Sequence, residues 1–150
     1  MLHILKLPPL HFVMCILGMK FLKQSFPSQP LVSMQVSTII WIALSVFSLF
    51  IMLNSAFQFR RHQTNIEAFK EPNNLITIGI YRITRNPIYL GFLIALLGAV
   101  FYFNQASCFA CVIVFFILAN NWYIPHEERD AERIFGSEFQ KYKSRVRRWI

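Results

Sequence analysis

GIYRITRNPIYLG, residues 79 to 91, ends where a run of apolar side chains begins. Within it stand two arginines, Arg82 and Arg85, two tyrosines, Tyr81 and Tyr89, and the break Asn86-Pro87. The apolar run that follows, Ile88 to Phe103, cannot solvate such groups, so polar chemistry is held at the edge of an apolar layer. A second polar cluster, His126-Glu127-Glu128-Arg129, closes the next apolar run, Cys108 to Ile124. Only Asn104 to Ser107 separates the two runs, and so short a connection makes them an antiparallel helical hairpin. The hairpin brings both polar clusters to one end, where they form one candidate site.

The rest of the chain extends this reading. Hydrophobic residues make up 55% of the 150, against about 45–50% for an ordinary soluble domain. Together with a mean hydropathy of +0.44, this predicts an all-α membrane protein with about four transmembrane helices, at about 7–22, 33–59, 88–103 and 108–124. A tail, 125–150, follows them. The first span could pass for a signal peptide, but it lacks a small-residue cleavage site and a second apolar run follows closely, so it reads as a retained helix. Pro8 and Pro9 at its start cost little, because first-turn N–H groups have no helical partner. The last two runs are shorter than the roughly 20 residues a span normally uses, so helix should extend into their polar flanks.

Charge fixes the expected orientation. Arg60, Arg61, Lys70, Arg82 and Arg85 lie in the loop before the hairpin, and Arg129, Arg133, Lys141, Lys143, Arg145, Arg147 and Arg148 lie in the tail. The Asn104 to Ser107 turn has no basic residue, so loop and tail are expected to be cytoplasmic. A formal charge of +8 beside apolar spans points to anionic lipid head groups rather than nucleic acid. The tail reads as amphipathic: a helix over Glu127 to Phe135, a break at Gly136, and a capping box, Ser137 to Gln140, opening a second helix. Phe135, Phe139, Tyr142, Val146 and Trp149 supply its apolar anchors.

Several kinds of chemistry lack support. There is no G-x-G-x-x-G, P-loop or HExxH pattern. Cys108 and Cys111 lie one helical turn apart in an apolar run and read as packing, and Cys15 suggests no disulfide framework. His3, His11 and His62 have no partners at ligand spacing, and His126 reads as an interfacial side chain. Gly91, Ala95 and Gly98 line one helix face with small residues, a pattern for close helix packing or ligand approach. Two readings of the polar clusters stay open. Glu127 and Glu128 could hold a cationic small molecule with Tyr81, Tyr89 and Asn86 around it, or they could pair structurally with Arg82 or Arg85.

The segment Gly79 to Gly91 also resembles the G-x-Y-x-x-x-R-[HN]-P-x-Y-x-G motif of the integral-membrane methyltransferases, which include isoprenylcysteine carboxyl methyltransferases and phospholipid N-methyltransferases. Glu127-Glu128, followed by Phe135-Gly136, Phe139, Tyr142 and Val146-Arg147-Arg148-Trp149, is similar to that family's tail, in the same order and at the same separation. The resemblance implies one integral-membrane methyltransferase domain over 1–150 with S-adenosylmethionine as cofactor. Carried over by position, Asn73, Asn74, Leu75, Ile76, Tyr81, Asn86, Pro87, Tyr89 and Glu127 would bind the cofactor. Arg85, Asn86 and Glu128 are candidates for positioning, and Tyr123 stands where eukaryotic isoprenylcysteine enzymes carry a substrate-facing arginine. Methyl transfer to a lipophilic acceptor is expected, foremost O-methylation of a carboxylate as in the isoprenylcysteine enzymes; no general base is visible, which favours a carboxylate or thiolate nucleophile. The alternatives are N-methylation of a phospholipid amine and a non-catalytic protein that keeps the scaffold. The short chain suggests a bacterial cytoplasmic membrane.

Overall fold

The computed structural model describes residues 8–61 and 74–150, and every described element is helical. Residue 7, His3, His62 and Asn73 lie outside the described residues. Helix α1 is Pro8–Ser25, α2 Met34–Arg61, α3 Pro87–Phe103, α4 Phe109–Leu118, α5 Ile124–Phe135 and α6 Ser137–Arg145. Short 3-10 turns, Gly79–Arg82 and Ala106–Cys108, lead into α3 and α4. Two stretches, Met34–Arg61 and Ala106–Phe135, are long and apolar enough to cross a membrane; Pro87–Phe103 is apolar but shorter.

α2 shows which solvent the fold is built for. Its 28 residues reach about 42 Å at 1.5 Å each. The face it buries is Ser37, Ser48, Ile51 and Ser55, whereas Ile39, Val46, Phe50 and Leu53 are exposed at 59–67%. Small polar groups inside and large apolar groups outside invert the pattern of a water-soluble helix and suit one surrounded by lipid. Each buried serine ties α2 to another part of the chain. Ser37 Oγ donates to the Phe101 carbonyl, Ser48 Oγ donates to the Gly91 carbonyl at 2.8 Å, and Ser55 Oγ meets the Tyr81 hydroxyl at 2.7 Å.

α3 is the central helix, packed by α2 on one side and by α1 and α4 on the others. Tyr89, Phe92, Leu96, Ala99 and Val100 carry its share of the main core, with Met19 from α1 and Phe115 from α4. The small-residue face serves helix packing: a Cβ on Gly91 would come within 2.5 Å of Met52 Cγ, and one on Gly98 within 3.4 Å of Leu44 Cβ. The cysteines also pack. Cys108 is fully buried with its thiol toward the Met19 carbonyl, Cys15 reaches the Cys111 carbonyl, and all three are free thiols.

The end of the bundle at the hairpin turn is fastened by neutral amides. Asn104 adopts the left-handed conformation at φ 50°. Its Oδ1 accepts from the Leu31 and Val32 amides at 3.0 and 3.2 Å, while its Nδ2 donates to the Val32 carbonyl at 2.8 Å. Gln105, buried beside it, donates to the Phe26 carbonyl at 2.9 Å and to the Leu22 carbonyl at 3.2 Å.

Two details of the tail differ from the sequence reading. The helix after the last apolar run does not start afresh at residue 127, because α4, a π-helical turn at Ala119–Tyr123 and α5 form one continuous path. α6 does begin at Ser137, but no side chain caps it. Gly136, at φ 49°, makes the break by itself, and Gln140 reaches across to Glu132 at 3.2 Å instead of closing a capping box.

Candidate functional site

The segment before α3 is laced to the C-terminal end of the chain. Arg85 N donates to the Arg147 carbonyl at 3.1 Å, and Asn86 Nδ2 donates to the Arg148 carbonyl at 3.0 Å. Thr84 Oγ1, buried, also donates to the Arg148 carbonyl, at 3.2 Å, and accepts from the Asn86 amide at 3.1 Å. Pro87 then opens α3 as a buried N-terminal proline, which loses no helical hydrogen bond there. Asn86 is thus held in place by a backbone carbonyl of the tail.

Glu128 sits at the centre of an arginine clamp. Arg85 Nη2 lies 2.6 Å from Oε1 and Arg148 Nη2 lies 2.6 Å from Oε2. Arg85 also donates to the Val146 carbonyl, and Arg148 to the Asn120 carbonyl at 3.2 Å. Asn120 Oδ1 accepts from Trp149 Nε1 at 3.1 Å, which fixes the last residues against the π turn. Burial acts to raise the Glu128 carboxyl, but the hydrogen bonds from Arg148 and Arg85 outweigh it and hold the group below its ordinary value. Of the two open readings, structural pairing therefore describes Glu128. Arg82, by contrast, is exposed.

Glu127, one residue earlier and beyond the apolar run that ends at Ile124, has different surroundings. Its Oε1 accepts from the Tyr89 hydroxyl at 2.7 Å, and among the described residues no cation lies at ion-pair distance. Burial pushes this carboxyl up to about 7, and the Tyr89 hydrogen bond only partly opposes the rise. Tyr89 stacks on Tyr123, with ring centroids 5.9 Å apart and planes 22° from parallel. The Tyr123 hydroxyl in turn lies 2.7 Å from His11 Nδ1, which α1 brings from 112 residues away. A carboxylate, a hydroxyl and two aromatic faces make a set suited to a cationic group.

The remaining expected residues form an adjoining group. Ile76 and Tyr81 are buried with Phe139, Tyr142 and Val146, and Leu75 packs against them. Tyr142 Oη donates to the Tyr81 carbonyl at 2.7 Å, while Asn74 is exposed. Gly79, at φ 62°, turns the chain into this group, and a Cβ there would come within 2.5 Å of Gln58 Nε2. The other amide atom, Gln58 Oε1, is buried with no hydrogen-bond donor among the described residues. The sequence reading did not single out His11, Asn120, Arg148 or Gln58 as parts of the site. For Arg148 alone was a signal present, in the Val146 to Trp149 pattern.

These features define a membrane-associated helical protein whose polar end joins an arginine-clamped carboxylate to a second carboxylate lying against aromatic rings. The family model for phospholipid methyltransferases matches residues 36–138, and the chain belongs to that family. It is 36% identical over 104 residues to methanethiol S-methyltransferase 1 of Bradyrhizobium diazoefficiens, covering 67% of this chain and 35% of that protein. It is 38% identical over 79 residues to protein-S-isoprenylcysteine O-methyltransferase B of Arabidopsis thaliana, covering 51% of this chain and 39% of that protein. An uncharacterized protein of Haemophilus influenzae is 35% identical over 63 residues, 42% of this chain and the whole of that protein. The chain thus spans between a third and two-fifths of the length of these two methyltransferases. No solved structure matches it.

Proposed function

We propose that the protein transfers a methyl group from S-adenosylmethionine to a lipophilic acceptor at the cytoplasmic face of a membrane. The observation that carries this reading is Glu127, a carboxylate bonded to Tyr89 with no cation among the described residues at ion-pair distance. Glu127 would hold the cofactor's ammonium, with the stacked rings of Tyr89 and Tyr123 lying beside the cationic end. Gln58 Oε1, which has no hydrogen-bond donor among the described residues, fits a donor such as the exocyclic amine of a purine beside Gly79. Asn74, Asn86 and Pro87 complete the contacts expected on this side, and Asn73 joins them by its place in the sequence.

When bound, the cofactor supplies a methyl group on a sulfonium, already activated for displacement. The protein's own task is then to orient the acceptor and exclude water. Arg85, Arg148 and Glu128 serve by fastening the tail across the start of α3, so that Glu127 and Tyr89 keep their register. In this reading four spans keep the loop before α3 and the tail in the cytoplasm, so that the site would lie where a soluble cofactor and a lipid-borne acceptor meet. The tail's Phe135 and Phe139 turn partly or wholly inward in this arrangement, and its exposed Lys141, Arg145 and Arg147 would face the lipid head groups.

The relatives methylate oxygen and sulfur by name, and the family is named for phospholipids, so the acceptor atom is the open variable. A carboxylate or an already ionised thiolate would need no base from the protein, and the sequence favours those acceptors on that ground. His11 changes that balance.

The test is transfer of label from methyl-labelled cofactor, by detergent-purified protein, into an extract of bacterial membrane lipids. Organic-soluble label that depends on the protein is expected. Base-labile label would mark a methyl ester, and base-stable label an amine or thioether. No transfer by folded protein that binds the cofactor would turn the reading toward a non-catalytic scaffold.

A further inference from the structure

The π turn at Ala119–Tyr123 interrupts an otherwise α-helical path from Phe109 to Phe135. Single π turns inside α-helices are uncommon and concentrate at functional positions, because the extra residue re-aims the side chains that follow. Here the last residue of the turn is Tyr123. Its ring is near-parallel to those of Trp122 and Tyr89, and its hydroxyl meets His11 Nδ1 at 2.7 Å. The His11 ring stands edge-on to it, centroids 5.8 Å apart and planes at 70°. A line of side chains therefore runs from His11 through Tyr123 and Tyr89 to Glu127, joining α1, the π turn, α3 and α5.

A buried tyrosine hydroxyl needs a partner, and a backbone carbonyl or a serine would satisfy it. An imidazole can do something more, which is to keep a proton. Building on the methyl-transfer reading above, we infer that Tyr123 and His11 form the proton-accepting pair of the site, and that the acceptor is a lipophilic thiol or amine rather than a carboxylate. Tyr123 Oη takes the proton of the acceptor's S–H or N–H group while its own proton passes to Nδ1 of His11. The electron pair left on sulfur or nitrogen is the one that bonds the methyl carbon. For a thiol, the positive charge lost from the sulfonium reappears on the imidazolium, so atoms and charge balance. An amine reaches the site as the ammonium form and gives up its proton by the same route. Tyr123 touches the acceptor, and His11 acts through it. Tyr123 is 1% exposed with its hydroxyl already paired, so the acceptor has to displace the groups that cover it to reach Oη.

The test uses two variants, His11→Gln, which still offers an acceptor to the Tyr123 hydroxyl, and Tyr123→Phe. In the first arm, cofactor-free protein in detergent binds octylthiophenol, an aryl thiol, and its thiolate absorbance is followed against pH. The pKa of the bound thiol should rise by roughly one to three units in His11→Gln, as expected for loss of a nearby cation. In the second arm, methyl transfer is measured with octanethiol, octylamine, octylthiophenol and octanoate. Octanethiol or octylamine, but not octanoate, should be methylated. The kcat for it should fall by about 10²-fold or more in both variants with KM little changed, the typical reach of a general base. The more acidic aryl thiol should lose far less.

Losses equal across all thiols, an unshifted octylthiophenol titration, or octanoate methylated as fast as octanethiol would each overturn the pair. If wild-type protein fails to bind S-adenosylmethionine by calorimetry, the methyl-transfer reading itself fails. The aryl-thiol titration, which needs no cofactor, still decides the fate of the pair.

Discussion

Glu127 and Glu128 are neighbours on one helix, and the structure gives them opposite surroundings. Glu128 has two guanidiniums at 2.6 Å, while Glu127 has one tyrosine hydroxyl at 2.7 Å. The first carboxylate has its partners within the chain, so it fastens the tail. The second is left with negative charge to place against something else. The same division separates the two ends of the bundle. At the hairpin turn, Asn104 and Gln105 bind backbone groups with neutral amides. Charge is concentrated at the other end, where chemistry is proposed.

The largest effect should come from breaking the clamp. Glu128→Gln leaves Arg85 and Arg148 without their carboxylate, which should cost on the order of 3 kcal/mol. Thermal unfolding in detergent would read this as a clear fall in midpoint. A stability equal to wild type would mean that the two carboxylates do not divide their roles in this way. Glu127→Gln should behave in the opposite sense, with stability held or slightly raised, because it removes a carboxylate whose charge burial disfavours.

Acidity separates the two further. Folding favours the protonated form of Glu127, so its contribution to stability declines as pH rises from its ordinary value, 4.5, towards 7. Glu128 runs the other way: its contribution is present above the ordinary value and is lost as pH falls through its lowered folded value. Only ionised Glu127 attracts a cation, so affinity for S-adenosylmethionine should rise as pH is raised through about 7. Calorimetry across that range checks the sign, and affinity independent of pH would remove Glu127 from the cofactor's cationic end.

The smallest effect is expected at the turn. Asn104→Ala removes three hydrogen bonds at a partly solvated site and should cost about 1–2 kcal/mol. Cofactor affinity should be unchanged, since Asn104 lies at the end of α3 away from Tyr89. A parallel loss of cofactor affinity would show that the two ends are coupled.

Much of this division could be read from the sequence, and the reasons are local. The apolar runs show the helices because an unbroken stretch of apolar side chains in lipid must pair its backbone groups within itself, and the short Asn104 to Ser107 connection allowed one arrangement of the hairpin. The motif and the tail were visible as polar residues next to apolar ones. What stayed hidden depended on backbone geometry or on distant parts of the chain. The π turn changes hydrogen-bond register without a pattern in ANNWY that announces it. His11 looked partnerless because its partner is 112 residues away. The sequence also offered no way to tell which of two adjacent glutamates the arginines would take. Ser137 to Gln140 has the composition of a capping box, but the positive φ of Gly136 had already made the break.

The central claim is that Glu127 is the carboxylate kept for the cofactor. It is tested most directly by titrating detergent-purified protein with S-adenosylmethionine in a calorimeter, at a pH above 7, beside Glu127→Gln. The account predicts saturable binding that weakens by roughly ten- to a hundredfold in the variant, the worth of a charge-assisted hydrogen bond. Equal affinity in two folded proteins would contradict it.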